Sequence, residues 1–308
     1  MTRHLLKLQD LTREDIHEIL NLADQLKYET QNNIPHHHLA GQTLGMIFQK
    51  ASTRTRVSFE VGMYQLGGQA LFLSNRDLQI GRGEPVEDTA RVLSRYLNGI
   101  MIRTFAQKEV EDLAKYGSIP VINGLTDYCH PCQVLADLMT IRERKGYLED
   151  LTACYIGDGN NMANSIIVGC LKMGMKIRVA TPKEYLPAPD ILAFAAQENE
   201  KNPGVFRLSE EPLAAAAGAD VLFTDVWASM GQEEEAQKRQ AAFLNFQINE
   251  KIMSAANPGA MVQHCLPAHR GEEISAEVFE SHAEEIFEEA ENRLHAQKAV
   301  MVKLMQRQ

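Results

Sequence analysis

Short apolar runs alternate with stretches of helical periodicity along most of the chain, and this alternation is what most limits its fold. In the first half the apolar runs lie at 43–48, 69–73, 99–103 and 119–123. The stretches between them, such as 57–66 and 85–97, repeat apolar residues at helical spacing. Strands that alternate with helices predict parallel sheets with helices on both faces.

A second series of the same kind follows a long helical stretch that begins at Pro131. Its apolar runs lie at 152–157, 176–182, 220–225 and 260–266. The two series predict an α/β chain with two doubly wound parallel-sheet lobes linked by long helices. We expect domains at 1–146 and 147–286, with the C-terminal helix, 287–308, packing back on the first lobe.

Composition excludes several classes of partner. The net charge is −10, which argues against nucleic acid or a membrane surface as a ligand. No apolar stretch is long enough for a transmembrane helix, and the N-terminus reads as an amphipathic helix capped by Thr12 with Asp15, not as a signal peptide. Five irregularly spaced cysteines are typical of a reducing compartment, so we expect a cytoplasmic protein.

The first polar cluster stands at a strand-to-helix junction, where ligands of open α/β sheets bind. It is the segment STRTR, made of Ser52, Thr53, Arg54, Thr55 and Arg56, placed before the helix expected at 57–66. Free N–H groups and the dipole at a helix N-terminus bind phosphate, and hydroxyls and a guanidinium add donors. The alternative is a capped, solvated loop with Arg56 in a structural ion pair.

Two more junctions of the first lobe carry polar residues. Arg103 ends a strand and is a second candidate to bind an anion, or a surface ion-pair partner. In YCHPCQ, His130 and Gln133 lie around the first turn of a helix. The same letters contain C-x-x-C, Cys129 to Cys132, which leaves a redox dithiol or a zinc site as an alternative.

The second lobe offers amide side chains after its first strand. The segment YIGDGNNMANS superficially suggests dinucleotide binding, but Met162 stands where the third glycine of that pattern belongs. Asn160 and Asn161 can present amide groups to a polar ligand. Alternatively, at least one of them caps the helix that follows.

Later junctions add an acid, a thiol and an arginine. Asp225 ends a strand before a loop with Ser229 and Met230, and it is a candidate to bind an amine or to cap a helix. Cys265 in QHCLPAHRG is either reactive or a small core residue. Arg293 on the terminal helix could be a surface partner of nearby glutamates.

Together, the first lobe supplies anion and carbonyl binders, whereas the second suits an amine and a zwitterion, so we expect two substrates. The motifs STRTR, HPCQ, DVWASMG and HCLPAHRG, in this order, resemble the ornithine carbamoyltransferase family over essentially the whole chain. The resemblance implies that 1–146 binds carbamoyl phosphate and 147–286 binds L-ornithine. It implies formation of L-citrulline and phosphate, with no metal and no organic cofactor.

The resemblance also implies roles for individual residues. Catalytic roles fall on Arg54, His130, Asp225 and Cys265. Carbamoyl phosphate would be bound by Ser52, Thr53, Arg54, Thr55, Gln79, Arg103, His130, Gln133, Cys265, Leu266 and Arg293. Ornithine would be bound by Asn161, Asp225, Ser229 and Met230. A homotrimer is implied, with active sites at subunit interfaces because Gln79 reaches in from a neighbouring subunit.

Two other functions remain open from the sequence. The chain could carbamoylate another amine, such as putrescine, N-acetylornithine or aspartate, although the SMG loop after Asp225 favours an acceptor with an α-amino carboxylate. It could also be a non-catalytic protein that binds a phosphorylated metabolite. The four residues with implied catalytic roles argue against this second alternative.

Overall fold

The computed structural model describes residues 4–76, 78, 83–228 and 235–306. The chain forms two compact units, one made of Met1–Met139 with Glu291–Gln308 and the other of Thr140–Ala290. Each unit is built around its own parallel sheet. The predicted fold class, an α/β chain with two parallel-sheet lobes, is confirmed.

The first unit contains a parallel sheet with the order β2-β1-β3-β4 among the described residues. Its strands are β1 (Thr43–Phe48), β2 (Gln69–Ser74), β3 (Gly99–Arg103) and β4 (Val121–Leu125). A 3-10 helix at Leu8–Asp10 comes first, followed by α1 (Arg13–Gln31), α2 (Thr53–Gln65), α3 (Val86–Leu93) and α4 (Gln107–Tyr116). Buried aliphatic residues of β1, β3 and β4, such as Ile47, Ile102 and Val121, pack with Ala90, Val110 and Leu113 of the helices.

The second unit contains a parallel sheet with the order β7-β6-β5-β8-β9. Its strands are β5 (Thr152–Ile156), β6 (Lys176–Ala180), β7 (Phe206–Ser209), β8 (Val221–Thr224) and β9 (Met261–His264). Its helices are α6 (Asn161–Lys172), α7 (Pro189–Lys201), α8 (Pro212–Ala216), α9 (Ala236–Phe243), α10 (Glu250–Ala255) and α11 (Ala276–Ser281). One face packs around Leu222, Trp227 and Phe243.

Two long helices, α5 (Pro131–Lys145) and α12 (Ala283–Met305), each pass from one unit into the other. The units divide inside these helices, between residues 139 and 140 and between 290 and 291, a few residues from the boundaries expected from the sequence. The end of α12 packs within the first unit, where Lys298 Nζ donates to Thr30 Oγ1 (2.6 Å) and Gln65 Oε1 (2.9 Å). The expected return of the C-terminal helix is confirmed.

Helix starts follow the local capping chemistry. At α1, Thr12 Oγ1 accepts from Asp15 N (3.0 Å) and Asp15 Oδ2 accepts from Thr12 N (3.0 Å), which confirms the expected cap. At α2, Ser52 Oγ accepts from Thr55 N (3.2 Å), so the helix begins at Thr53. The expected start at Val57 was wrong because Ser52, not a later residue, is the N-cap and accepts from the N–H of Thr55.

The sequence also missed β7 and the short helices α8 to α11. Strand β7 is four residues long, stands at the sheet edge and has its two central residues exposed, so it carries no apolar run. Among the described residues, no helix combines the length and apolarity required to cross a membrane.

Each sheet has one point at which its strand order reverses. In the first sheet this point lies between β1 and β3, and in the second between β5 and β8. Loops leaving two such strands run to opposite faces of the sheet and open a crevice there. The segment STRTR follows β1 and Arg103 ends β3, whereas Asn160 and Asp225 follow β5 and β8. Each unit therefore has candidate ligand-binding residues at its switch point.

Candidate active site

The segment STRTR forms the cap and first turn of α2. Ser52 is the N-cap, Thr53 is the first helical residue, and Thr55 is buried while Arg54 is half-buried. The free N–H groups of this turn and the positive end of the helix dipole favour a bound anion. The hydroxyls and the Arg54 guanidinium stand around the same helix end.

Arg56 has a structural role. Its Nε donates to Glu60 Oε1 (3.1 Å) one turn later, and its guanidinium lies 3.8 Å from the Phe72 ring centroid. The sequence alternative of a structural ion pair is confirmed for this residue. The candidate anion binders of this segment are therefore Ser52 to Thr55.

Arg293 lies inside the first unit. Its side chain donates to Gln133 Oε1 (2.7 Å) and to Thr55 Oγ1 (3.1 Å), and only 3% of the residue is exposed. Gln133 in turn donates to Asp137 Oδ1 (2.8 Å). The alternative that Arg293 is a surface partner of glutamates was wrong. Arg293 joins α12 to the first turns of α2 and α5.

His130 lies at the start of α5 and is 4% exposed. Burial lowers its pKa well below the ordinary value of 6.5, and the charges of Arg293, Arg103 and Arg54 lower it further. The imidazole is therefore neutral at neutral pH. A neutral histidine among three arginines suits an anionic ligand, because it adds a directed hydrogen-bond donor.

Asn160 serves two purposes in the second unit. Its Oδ1 accepts from Met162 N (2.9 Å) and Ala163 N (3.2 Å), which caps α6 and confirms that one of the two asparagines is a cap. Its Nδ2 donates to Asp225 Oδ2 (2.7 Å). Asn161 is the first residue of α6 and is half-buried, next to this pair in the chain.

The Asp225 carboxylate is 6% exposed and has three donors. Besides Asn160, its Oδ1 accepts from Val226 N (2.8 Å) and from Cys265 Sγ (3.3 Å). The next helix in the described chain begins at Ala236, so the alternative that Asp225 caps a helix was wrong. A fixed carboxylate beside a thiol can hold and orient an amine.

The segment after β9 positions the Cys265 thiol. Leu266 has a left-handed backbone (φ 58°) and a cis peptide bond to Pro267. Its N–H donates to His264 Nδ1 (2.9 Å), and His264 Nε2 lies 2.9 Å from Glu273 Oε1. Non-glycine residues with a left-handed backbone, such as Leu266, are uncommon and cluster at functional sites.

Gln79, Ser229 and Met230 lie outside the described residues, so their expected roles stay predictions. Sequence reasoning missed Asp137, although it stands one helical turn after Gln133. It also missed the buried ion pair of Arg239 with Asp158 (2.8 Å), whose members lie 81 residues apart. A hydrogen-bonded pair so distant in sequence leaves no local pattern.

The two thiols of the C-x-x-C segment are buried and have a raised pKa, unlike the thiols of a redox dithiol. Cys129 and Cys132 are free, buried thiols, and burial raises the pKa of each to about 12. Reactive dithiols have a lowered pKa, so the dithiol alternative was wrong.

One group of possible metal ligands stands elsewhere in the described chain. His269, Glu272 and Glu273 each place a ligand atom within 4.8 Å of the others. Glu273 Oε1 already accepts from His269 N (2.6 Å) and pairs with His264, so hydrogen bonding explains this arrangement. We assign no metal to it.

Comparison with known families gives the class of the protein. Residues 3–143 match the family model described as aspartate/ornithine carbamoyltransferase, carbamoyl-P binding domain. Residues 149–304 match the model described as aspartate/ornithine carbamoyltransferase, Asp/Orn binding domain. The chain belongs to the aspartate/ornithine carbamoyltransferase family.

Individual relatives carry the more specific name ornithine carbamoyltransferase. The chain is 56% identical to that of Syntrophotalea carbinolica over 305 residues, which cover 99% of this chain and all of the relative. It is 51% identical to the Pyrococcus furiosus protein of known structure, with a TM-score of 0.94 and coverage of 98% of this chain and 96% of that chain. The anabolic protein of Campylobacter jejuni is 43% identical over 98% and 99%, with a TM-score of 0.92.

Proposed function

We propose that this chain transfers the carbamoyl group of carbamoyl phosphate to the δ-amine of L-ornithine, giving L-citrulline and phosphate. The observation that carries the proposal is the buried Asp225 carboxylate, fixed by Asn160 and Cys265 in the unit that matches the Asp/Orn binding domain. The names of the relatives support ornithine as acceptor, and two of them are called anabolic. We therefore place the reaction in arginine biosynthesis.

The first unit would bind carbamoyl phosphate. The free N–H groups at the start of α2, with the side chains of Ser52, Thr53, Arg54 and Thr55, would hold the phosphate. Arg103, whose charge acts on His130 from the end of β3, would neutralise the same anion. These groups also stabilise the phosphate as it leaves, when its charge increases.

The carbamoyl carbonyl would be polarised by His130, Arg54 and Thr55. Because the His130 imidazole is neutral, it can donate one N–H to the carbonyl oxygen without giving up a proton at neutral pH. Gln133, already oriented by Arg293, would bind the carbamoyl amide. Removing one positioned donor of this type costs about 100- to 1,000-fold in rate.

The second unit would bind and orient ornithine. Asp225 and Cys265 would hold the δ-amine, which must lose a proton before attack because a free alkyl amine has a pKa of about 10.4. The α-amino and carboxylate groups would be bound by Asn161 with Ser229 and Met230. Leu266, with Cys265, would contact both substrates.

The chemical step needs no group beyond these. The amine nitrogen forms a bond to the carbamoyl carbon, and a tetrahedral oxyanion results. The bond from that carbon to the phosphate oxygen then breaks, and phosphate leaves with the electron pair. The ammonium gives its first proton to solvent before the attack. The second proton of the nitrogen goes to the departing phosphate, so the transfer step itself requires no dedicated base.

We further propose a cytoplasmic homotrimer in which Gln79 of a neighbouring subunit completes each active site. Exposed apolar side chains of α2 and of the edge strand β2 support a subunit interface formed by these two elements. They are Val57, Val61, Tyr64, Leu71 and Phe72. All five cysteines are free thiols, which supports a reducing compartment. Light scattering of the purified protein at several concentrations tests the trimer.

The function is tested by a citrulline assay with purified protein and carbamoyl phosphate. The acceptors compared are L-ornithine, putrescine, N-acetylornithine and aspartate at one concentration. We expect turnover with ornithine and little with the other three. Turnover with putrescine alone would overturn the assignment of the ornithine carboxylate to the second unit.

The role of Arg54 is tested by the variant Arg54→Gln, which keeps a helix former in the first turn of α2 but removes the positive charge. We expect it to remain folded and to lose nearly all citrulline formation. Absence of turnover with every acceptor from folded wild-type protein would favour a non-catalytic binding protein.

A further inference from the structure

Arg239 of α9 is a buried arginine with partners on two separate segments of the second unit. Its Nη1 donates to Asp158 Oδ2 (2.8 Å) and to the carbonyl oxygen of Trp227 (3.0 Å). The side chains of Arg239 and Asp158 are each 7% exposed. The guanidinium also lies over the Tyr185 ring, 4.8 Å from its centroid.

The two segments that Arg239 joins are those that present the candidate amine site. Asp158 follows β5 and stands two residues before Asn160, whereas Trp227 follows β8 and stands two residues after Asp225. Asn160 and Asp225 are themselves hydrogen-bonded (2.7 Å). Arg239 therefore makes a second connection between the same two loops.

The turn that carries Asp158 has little freedom to move. Tyr155 Oη donates to the carbonyl oxygen of Asp158 (2.8 Å). Gly159 N donates to the carbonyl oxygen of Tyr185 (2.9 Å), and a Cβ at Gly159 would collide with the backbone of 185–187. A rigid turn transmits a displacement of Asp158 to Asn160.

Both members of the ion pair are charged near neutral pH. Burial raises the pKa of Asp158 to about 6, and the positive charge of Arg239 opposes this increase. The guanidinium is protonated throughout. Removing Arg239 leaves the Asp158 carboxylate buried without its counter-ion. Removing Asp158 leaves Arg239 with only the exposed carboxylate of Glu235, whose Oε2 lies 3.4 Å from Arg239 Nε, so in both cases the loops must rearrange.

We propose that Arg239 is a positioning residue that holds Asp225 and Asn160 in the geometry that binds the acceptor amine. This inference rests on the proposed function. Arg239 acts through the carboxylate of Asp158 and the carbonyl of Trp227, and it does not touch the acceptor. A planar guanidinium is suited to this because it directs several donors at once, whereas a lysine presents a single ammonium point.

The test is steady-state kinetics of Arg239→Lys, Arg239→Gln and Asp158→Asn, with each substrate varied in turn. We expect the KM for ornithine to rise about 10- to 100-fold, since a displacement of about 1 Å at a site can change rates 100-fold. The KM for carbamoyl phosphate should stay within about twofold, because the proposed phosphate and carbonyl binders, Ser52 to Thr55, Arg103 and His130, lie in the other unit. Arg239→Lys, which keeps the charge, should be the mildest of the three variants.

A matched control is Arg178→Gln in the same unit. Arg178 of β6 also donates to carbonyl oxygens, those of Ala215 and Ala217, but neither segment carries a candidate site residue. This variant should leave both KM values unchanged. Urea denaturation of each variant, compared with wild type, would show whether the second unit remains folded, and calorimetric titration with carbamoyl phosphate would show the same for the first unit.

Three results would overturn the proposal. One is an unchanged KM for ornithine in folded Arg239→Lys and Arg239→Gln. Another is an equal rise of both KM values, which is the result of a general loss of stability. The third is failure of even Arg239→Lys to fold, which would assign Arg239 to stability alone. Absence of citrulline from wild-type protein would instead refute the proposed function, before any variant is compared.

Discussion

Exchange of Asn160 for aspartate separates its two tasks. In the wild type, Oδ1 caps α6 and Nδ2 donates to Asp225. Aspartate caps a helix about as well as asparagine, so the cap should survive. The donor to Asp225 is lost, and a second carboxylate takes its place at the former hydrogen-bond distance of 2.7 Å.

The magnitude follows from these contacts. A hydrogen bond to a charged group contributes about 1.5–3 kcal/mol. If that stabilisation orients Asp225 for the amine, its loss lowers kcat/KM for ornithine by about 10- to 150-fold, at 1.36 kcal/mol per factor of ten. The KM for carbamoyl phosphate should not change, because Asn160 lies in the other unit.

Stability of the Asn160→Asp variant should depend on pH. Two adjacent carboxylates cannot both ionise easily, so the folded pair keeps a proton above the ordinary pKa of about 3.9. The folded state then binds more protons than the unfolded state, and the free energy of unfolding falls as pH rises through this range. The variant should be closest to wild type in acid and weakest near neutral pH.

Citrulline kinetics and urea denaturation between pH 5 and 8 measure both effects. Asn249→Asp is the matched control, because Asn249 also caps a helix, α10, by accepting from Ile252 N (3.2 Å). Its Nδ2 donates to Gln247 Oε1 (3.4 Å) and not to Asp225. Wild-type kcat/KM for ornithine in Asn160→Asp, or an unfolding free energy that tracks wild type at every pH, would refute the reasoning.

Two further predictions concern the first unit. The Arg293→Lys variant loses the planar guanidinium that donates to both Gln133 and Thr55. We therefore expect the KM for carbamoyl phosphate to rise about 10- to 100-fold in initial-rate assays, while the KM for ornithine stays unchanged. An equal rise of both KM values would contradict this. Burial lowers the pKa of Lys298 to about 8 from 10.5, so the unfolded state binds more protons between these values and the free energy of unfolding should rise with pH there. Denaturation of wild type and Lys298→Met across that range checks it, since equal slopes would show that Lys298 is not responsible.

Sequence reasoning succeeded where the signal is local. The alternation of apolar runs identified both sheets except for β7, because a buried parallel strand is a continuous apolar run and a short edge strand is not. The Thr12 cap was readable for the same reason, since its partner Asp15 is three residues away. Junction chemistry also located the switch-point residues, because the carboxyl ends of parallel strands share one edge.

Sequence reasoning failed where the partner is distant. Arg293 stands among glutamates in the sequence, yet its side chain contacts Gln133 and Thr55, which precede it by 160 and 238 positions. The doublet Asn160 and Asn161 offers two equivalent caps, and only the backbone geometry of the β5–α6 turn decides that Asn160 is the cap. No short-range sequence pattern predicts such pairings, because the two residues become neighbours only in the folded protein.

The division of the first unit has a consequence for synthesis. This unit is interrupted in the chain, since its last helical portion begins at Glu291, whereas the second unit is continuous from Thr140 to Ala290. On a ribosome the second unit therefore emerges complete while the first still lacks the segment that carries Arg293 and Lys298. Thr55 and Gln133 gain their arginine partner only after the whole second unit has been synthesised, so a nascent chain truncated before Arg293 lacks both of these hydrogen bonds.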